Sequence, residues 1–255
     1  MAFRGRVALV TGAASGMGRV AARRLAEAGA LVAAVDLNEE GLRETARGLA
    51  GVRSFALDVS DAPGVRELVA SVEAELGPLD RVVNAAAIMP TGFLLDMDAD
   101  QIRRIMDVNY HGTVNVTLAA LPGMLARGRG DLVNFASVAG WIPNLHFGAY
   151  NASKFAVVAF TEVLHHECRG RGVRILCVCP GKVDTPLLQQ AKSNPRILQA
   201  GAAPIPPERV IDGIERALEA GRCFAFSDWQ TRTGYYIRRF VPGLLWAIGH
   251  RTEGV

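Results

Sequence analysis

The sequence predicts an α/β chain in which a parallel sheet is covered by helices on both faces. Three observations carry that expectation. Apolar runs of strand length recur at residues 6–11, 31–36, 52–59, 79–84, 131–136, 173–179 and 222–226. Between them lie stretches with apolar residues at three and four spacing, the mark of amphipathic helices. The runs are close to continuously apolar rather than alternating, as strands buried on both faces must be. With about seven strands this is a doubly wound, Rossmann-type sheet. A chain of 255 residues, half of them hydrophobic, can close one large core, and no linker or repeat divides it, so residues 1–255 are expected to form a single unit.

The first run leads straight into TGAASGMG, and MGRVAARRLAEAG after it has helical spacing. Gly12, Gly16 and Gly18 therefore stand at a strand-to-helix turn, with Ser15 and Met17 between them. Glycine permits the tight bend and close backbone approach, and a helix N-terminus offers free N–H groups and partial positive charge to a pyrophosphate. The second run ends on Asp36, followed by Leu37, about 20 residues further on. A carboxylate there accepts hydrogen bonds from both ribose hydroxyls and repels a 2′-phosphate. No arginine or lysine follows Asp36 immediately, and Ser15 rather than a basic residue precedes Gly16, so the expected cofactor is NAD rather than NADP. EGLRETARG, of mixed sign, reads as a solvated helix face.

APGVRELVASVEAEL and the long ADQIRRIMDVNYHGTVNVTLAAL supply helices on either side of the fourth run. The fifth run leads to Ser137, and AYNASKFAVVAFTEVLHHECRG forms the next helix, with Tyr150 and Lys154 four apart on one face. An ammonium close to a phenol favours the phenolate and lowers its pKa from about 10 toward working pH, as general acid/base chemistry requires. In VRILCVCP, Cys177 and Cys179 share a strand face, and Cys168 and Cys223 stand alone. All four read as reduced packing residues, since ligand spacing is missing and no metal site is expected. His165 and His166 are adjacent on a helix and point apart, and His111 and His250 lack partners at ligand spacing. His146 reads as a loop histidine that lines or leaves the pocket. Residues 183–206 are long, proline-bearing and irregular, the length of a substrate lid.

These motifs in this order resemble the short-chain dehydrogenase/reductase family over nearly the whole chain. The resemblance rests on TGAASGMG, Asp58-Val59, Asn84, Asn109, Ser137, YNASK at 150–154 and PGKVDTP at 180–186. It implies that Tyr150 exchanges a proton with the substrate oxygen, that Ser137 hydrogen-bonds that oxygen, and that Lys154 holds the nicotinamide ribose and tunes Tyr150. It further implies that Asn109 helps anchor a water relay, that Asp58 and Val59 contact adenine, and that Asn84 lies by the adenosine ribose. Pro180, Gly181, Val183 and Thr185 would border the nicotinamide, the last two binding its carboxamide, and a homodimer or homotetramer is implied. One departure stands out. The family's usual Asn-Asn-Ala-Gly reads NAAA here, with Ala85 and Ala87 in place of the second asparagine and the glycine. A lost amide would loosen the local backbone, and a methyl at Ala87 would crowd cofactor or substrate.

A net charge of +3, with basic residues scattered among acidic ones, gives no stripe for nucleic acid. No apolar stretch approaches the roughly 20 residues needed to span a bilayer, and MAFRGRVALV carries no apolar signal segment, so a cytoplasmic protein is expected. The pocket walls expected from IMPTGF, WIPNLHF and the lid are rich in Trp141, Ile142, Leu145, Phe147, Leu187, Leu188, Ile197 and Leu198. They suggest a hydrophobic secondary alcohol or ketone. Lys182, Lys192 and Arg196 keep an acyl thioester or other anionic carbonyl substrate open. A non-catalytic dinucleotide sensor or scaffold is the other alternative, and a related epimerase or dehydratase is disfavoured by the short chain. The tail 228–255, containing GYYIRRFVPGLLWAIGH, reads as an oligomer seam or pocket cover in preference to a peripheral membrane foot.

Overall fold

The computed structural model describes residues 3, 5–193, 195–200 and 203–254. Seven strands, β1 (Val7–Thr11), β2 (Leu31–Asp36), β3 (Val52–Ala56), β4 (Arg81–Asn84), β5 (Gly130–Phe135), β6 (Val173–Cys179) and β7 (Phe224–Phe226), form one sheet. Its order is β3-β2-β1-β4-β5-β6-β7, with every neighbouring pair parallel. The winding direction reverses between β1 and β4. At such a switch the connections leave in opposite directions and open a crevice beyond the strand ends.

The helices are α1 (Gly16–Glu27), α2 (Glu39–Ala46), α3 (Ala62–Leu76), α4 (Ala99–Met106), α5 (Gly112–Arg127), α6 (Gly148–Glu167), α7 (Arg196–Gln199), α8 (Pro207–Glu219), α9 (Trp229–Phe240) and α10 (Pro242–Glu253). Alternate strand residues face opposite layers. Ala8, Val10, Val32 and Val133 pack with Leu25 of α1 and Ile211 and Ile214 of α8. Leu9, Ala33, Val82 and Leu132 pack with Val69 and Val72 of α3 and Val116 and Met124 of α5. Both sheet faces are thereby covered, as continuous apolar strands require. Asn38 and Asp61 start α2 and α3 by accepting hydrogen bonds from Gly41 N and Gly64 N.

Four features depart from the sequence reading. The third run leaves the sheet at Ala56, so Asp58 lies on the following loop. The pattern at 99–121 is not one helix: α4 passes into a π-helical turn at Asp107–His111 before α5 begins. Helix α8 was not among the helical patterns singled out, although Val210, Ile211, Ile214, Ala217 and Leu218 are buried along one stripe. The stretch 183–206 is more ordered than a plain loop, with a 3₁₀ turn at Pro186–Gln190, the short α7, and a parallel bridge between Val183 and Ile205.

A buried ion network holds β4, β5, β6 and α8 in register. Arg81, 2% exposed, donates from Nε and Nη2 to Asp131 Oδ2 at 3.0 and 2.7 Å, and from Nη1 to Glu215 at 2.6 Å. Arg174 donates to the same Asp131 at 2.6 Å. Removing one partner of such a buried pair leaves the other charge uncompensated. Asp131→Asn is therefore expected to lower the unfolding free energy by about 3 kcal/mol, read as a shift of the urea midpoint. An unchanged midpoint would show that the network contributes nothing to stability.

Candidate active site

The crevice at the β1/β4 switch contains two adjoining hollows that share Met17, Ala85, Ala87, Thr185 and Leu187. The narrower, about 300 Å³, lies over the glycine turn. The wider, about 690 Å³, lies over Tyr150.

The glycine turn explains the first hollow. Gly12 and Gly16 have φ of +65° and +50°, a region open to glycine and strained for other residues. A Cβ on Gly18 would fall 2.1 Å from the Gly12 carbonyl oxygen, so α1 can start this close to β1 only without a side chain there. Ser15 makes no capping hydrogen bond and no acidic residue stands in the first turn, which leaves the helix start suited to an anion. Gly12, Ser15, Gly16, Met17, Gly18, Asp36, Leu37, Asp58 and Val59 all line this hollow. The Asp36 carboxylate accepts from Ala14 N at 3.1 Å and Asn38 N at 3.0 Å, which fixes its direction at the end of β2. On Asp58, burial acts to raise the pKa. The Ser60 N–H and hydroxyl together with Arg104 outweigh it and hold the carboxyl below its ordinary value. Arg104, which sequence reading passed over, donates to Asp58 at 2.5 Å and also lines the hollow.

Strand β5 delivers Ser137 and α6 delivers Tyr150 and Lys154 to the second hollow, where Pro180, Gly181, Val183 and Thr185 form the opposite border. Tyr150 is 5% exposed, and burial pushes its phenol up to about 12 while a hydrogen bond with Ser137 acts the other way. The expected lowering of Tyr150 by Lys154 is thus corrected: burial is the largest influence on the phenol, and the influence opposing it comes from Ser137. The ammonium lies 5.7 Å from the Tyr150 ring centre and donates to the Phe135 carbonyl at 2.8 Å. Burial brings Lys154 down to about 8, with the neighbouring Cys177 and Cys179 acting in the opposite sense. Those two sulfurs lie 3.8 Å apart on one face of β6, and burial raises the Cys177 thiol.

Two of the expected residues direct their side-chain amides into the protein interior. Asn109 is fully buried in the π-helical turn, where it accepts from Ile88 N at 2.8 Å and donates to Ile88 O and Ser153 Oγ, both at 3.0 Å. Ser153 in turn donates to the Tyr150 carbonyl at 2.8 Å. Asn109 therefore ties the β4 exit to α6. Asn84 donates to Asn134 at 2.9 Å and Thr117 at 3.2 Å within the core, and among the described residues it lines neither hollow. The backbone beside it is held by Thr11, whose hydroxyl accepts from Ala85 N and Ala86 N at 3.1 and 3.2 Å. That bond meets the expected loosening at Ala85. The Ala87 methyl does face both hollows.

The walls also redraw the sequence expectation. Phe147, Leu187, Leu188, Ile197 and Leu198 line the wide hollow, joined by Met89. Trp141, Ile142 and Leu145 do not. The Trp141 ring packs edge-on against Phe224 and Tyr235, and its Nε1 donates to Cys179 Sγ at 3.3 Å. Lys182 reaches the wall, whereas Lys192 and Arg196 do not. From the tail, Asp228, Trp229 and Thr231 line the same hollow, whereas GYYIRRFVPGLLWAIGH at 234–250 lines neither and leaves Tyr236, Phe240, Leu244 and Ile248 exposed. Sequence reading missed those three wall residues because a helix at the chain end carries no local sign of what it covers. No helix among the described residues is long and apolar enough to cross a membrane.

Residues 6–196 match the family described as short chain dehydrogenase. A D-threitol dehydrogenase of Mycolicibacterium smegmatis is 36% identical over 244 residues, 92% of this chain and 94% of the relative. A 2-dehydro-3-deoxy-L-rhamnonate dehydrogenase (NAD(+)) of a Sphingomonas species is 39% identical over 190 residues, 74% and 76% of the two chains. A short chain dehydrogenase/reductase from Burkholderia phymatum, solved in complex with NAD, superposes with a TM-score of 0.85 at 28% identity, covering 96% of each chain. The class defined by fold and site is that of the nucleotide-dependent oxidoreductases on a doubly wound sheet. Within it, the chain belongs to the short-chain dehydrogenase/reductase family.

The buried lysine can be tested directly. The chain has three lysines, Lys154, Lys182 and Lys192. In a carbon-13 NMR titration of lysine-labelled protein, one Cε signal, missing from Lys154→Met, is expected to have its midpoint at about 8. A midpoint for that signal at the ordinary 10.5 would contradict the account of its desolvation.

Proposed function

We propose that this chain interconverts a hydrophobic secondary alcohol and its ketone with NAD as the redox partner. The observation that carries the reading is the joining of the two hollows. A glycine-floored cleft closed by Asp36 runs into an apolar cavity with Ser137, Tyr150 and Lys154 at its base. NAD, when bound, supplies the hydride acceptor, and NADH the donor. In this reading Gly12, Ser15, Gly16, Met17 and Gly18 hold the pyrophosphate, and Asp36 and Leu37 meet the adenosine ribose. Asp58 and Val59 border the adenine, and Pro180, Gly181, Val183 and Thr185 border the nicotinamide. Asp36 favours NAD because a 2′-phosphate would meet a carboxylate, and Arg104, the cation on that cleft, is engaged by Asp58. The NAD in the Burkholderia structure and in the name of the Sphingomonas relative points the same way. The relatives' named substrates differ, so the substrate class rests on the walls: Met89, Phe147, Leu187, Leu188 and Ile197 favour an apolar ligand.

Tyr150 exchanges the proton with the substrate oxygen, and Ser137 orients that oxygen. A phenol raised to about 12 stays protonated through neutral pH, so it is ready to donate in ketone reduction. Alcohol oxidation needs the phenolate, the minor form below that pKa. Oxidation kcat/KM is therefore expected to climb with pH, by about tenfold per unit between pH 7 and 9, while reduction shows no such rise. Tyr150→Phe is expected to lower turnover by about 100-fold or more with NAD affinity retained. Near-native turnover in that variant would remove Tyr150 as acid/base, and oxidation with no pH dependence would exclude the raised phenol.

A further inference from the structure

The tail does more than cover the cavity with α9. Its last helix, α10, runs back to pack on α7 and ends with a carboxylate that is almost completely buried: the Glu253 side chain is 6% exposed. Burying a carboxylate is costly unless its oxygens are hydrogen-bonded. Here Oε1 accepts from Ile197 N at 2.9 Å and Oε2 from Arg196 N at 3.1 Å, so one side chain binds the first two amides of α7. The same Oε2 lies 3.8 Å from His146 Nε2, within ion-pair distance when the ring is protonated.

Each partner leads to the substrate cavity. Ile197 and Leu198 lie on its wall and pack with Met89, Phe147 and Tyr150. His146 stands four residues before Tyr150 on the loop that enters α6. Its carbonyl accepts from Gly92 N at 2.8 Å, its ring lies against Phe93 with centres 4.1 Å apart, and its buried Nδ1 has no hydrogen-bond partner among the described residues. The C-terminal helix, the lid and the loop that enters α6 therefore meet at one carboxylate.

We infer that Glu253 is a positioning residue for substrate: α10 acts as a strap whose terminal carboxylate clamps α7 and so sets the lid wall against the cavity. The strap serves the apolar substrate of the function proposed above and rests on that reading for its effect on catalysis. It does not touch the reacting atoms. Its loss should weaken substrate binding and leave chemistry and cofactor affinity in place. This separates the strap from a residue that merely holds the fold, whose loss would lower stability without moving KM.

The test pairs two readouts on the full-length chain. Hydrogen exchange at the Arg196 and Ile197 amides is measured without substrate, and steady-state kinetics are measured on an apolar alcohol. In Glu253→Ala both amides should exchange about tenfold faster or more, the size of one charge-assisted hydrogen bond. KM should rise about tenfold with kcat and NAD affinity held. Glu253→Gln keeps one carbonyl acceptor and should fall between Ala and wild type in both readouts. It also serves if the alanine variant does not fold. Wild-type exchange at 196 and 197, or fast exchange with an unmoved KM, would overturn the strap, as would a loss confined to kcat. Because exchange is read without turnover, it still decides the clamp if wild type oxidises no alcohol, an outcome that would count against the proposed function alone.

Discussion

The site depends on how closely the start of α1 approaches β1. With no side chain at Gly18, the first turn of the helix rests on the Gly12 carbonyl, and its free amides come to the strand ends where the sheet order reverses. A methyl at Gly18 would be 2.1 Å from that oxygen and would have to push the helix away. Around this contact the structure is bonded, not merely packed. Thr11 holds Ala85 and Ala86 across from β1, and Asp36 is aimed by the amides of Ala14 and Asn38. The crevice is therefore a product of backbone geometry, with Met17, Tyr150 and Lys154 carried on helices and Asp36 at the end of a strand.

The second constraint is desolvation. Tyr150 and Lys154 are both buried at the base of the cavity, and burial moves them in opposite directions, the phenol up to about 12 and the ammonium down to about 8. Each shift favours the neutral form. Four-residue spacing on a helix brought the pair to one face, but spacing carries no information about solvent, and it is the exclusion of water that dominates their titration. Asn109 and Ser153 act on the same pair through the backbone, linking the β4 exit to the Tyr150 carbonyl.

What could be read from sequence follows from the range of the interactions involved. Apolar continuity and glycine spacing are local, so the seven strands, the turn at Gly12–Gly18 and the grouping of Ser137, Tyr150 and Lys154 were all legible, and the structure brings those three together in one hollow. The π-helical turn at Asp107–His111 was not, since its residues keep helical periodicity on both sides of the wider turn. Trp141 illustrates the opposite error. Its place in an apolar loop beside Tyr150 suggested a pocket wall, yet its indole nitrogen has a buried sulfur to reach and its ring has Phe224 and Tyr235 to pack on. Asn84 was drawn toward the cofactor by resemblance, whereas its neighbours on β5 and α5 draw its amide into the core. Glu253 is separated from Arg196 by 57 positions, and no local pattern announces a contact at that range.

If the glycine turn and Asp36 together make a dinucleotide cleft, cofactor preference is the property on which both must agree. The most direct measurement is equilibrium titration of the wild-type protein with NAD and with NADP under the same salt. The account predicts that NAD binds more tightly by about tenfold or more, because the 2′-phosphate would be brought against a fixed carboxylate. Tighter binding of NADP, or binding of neither, would contradict it.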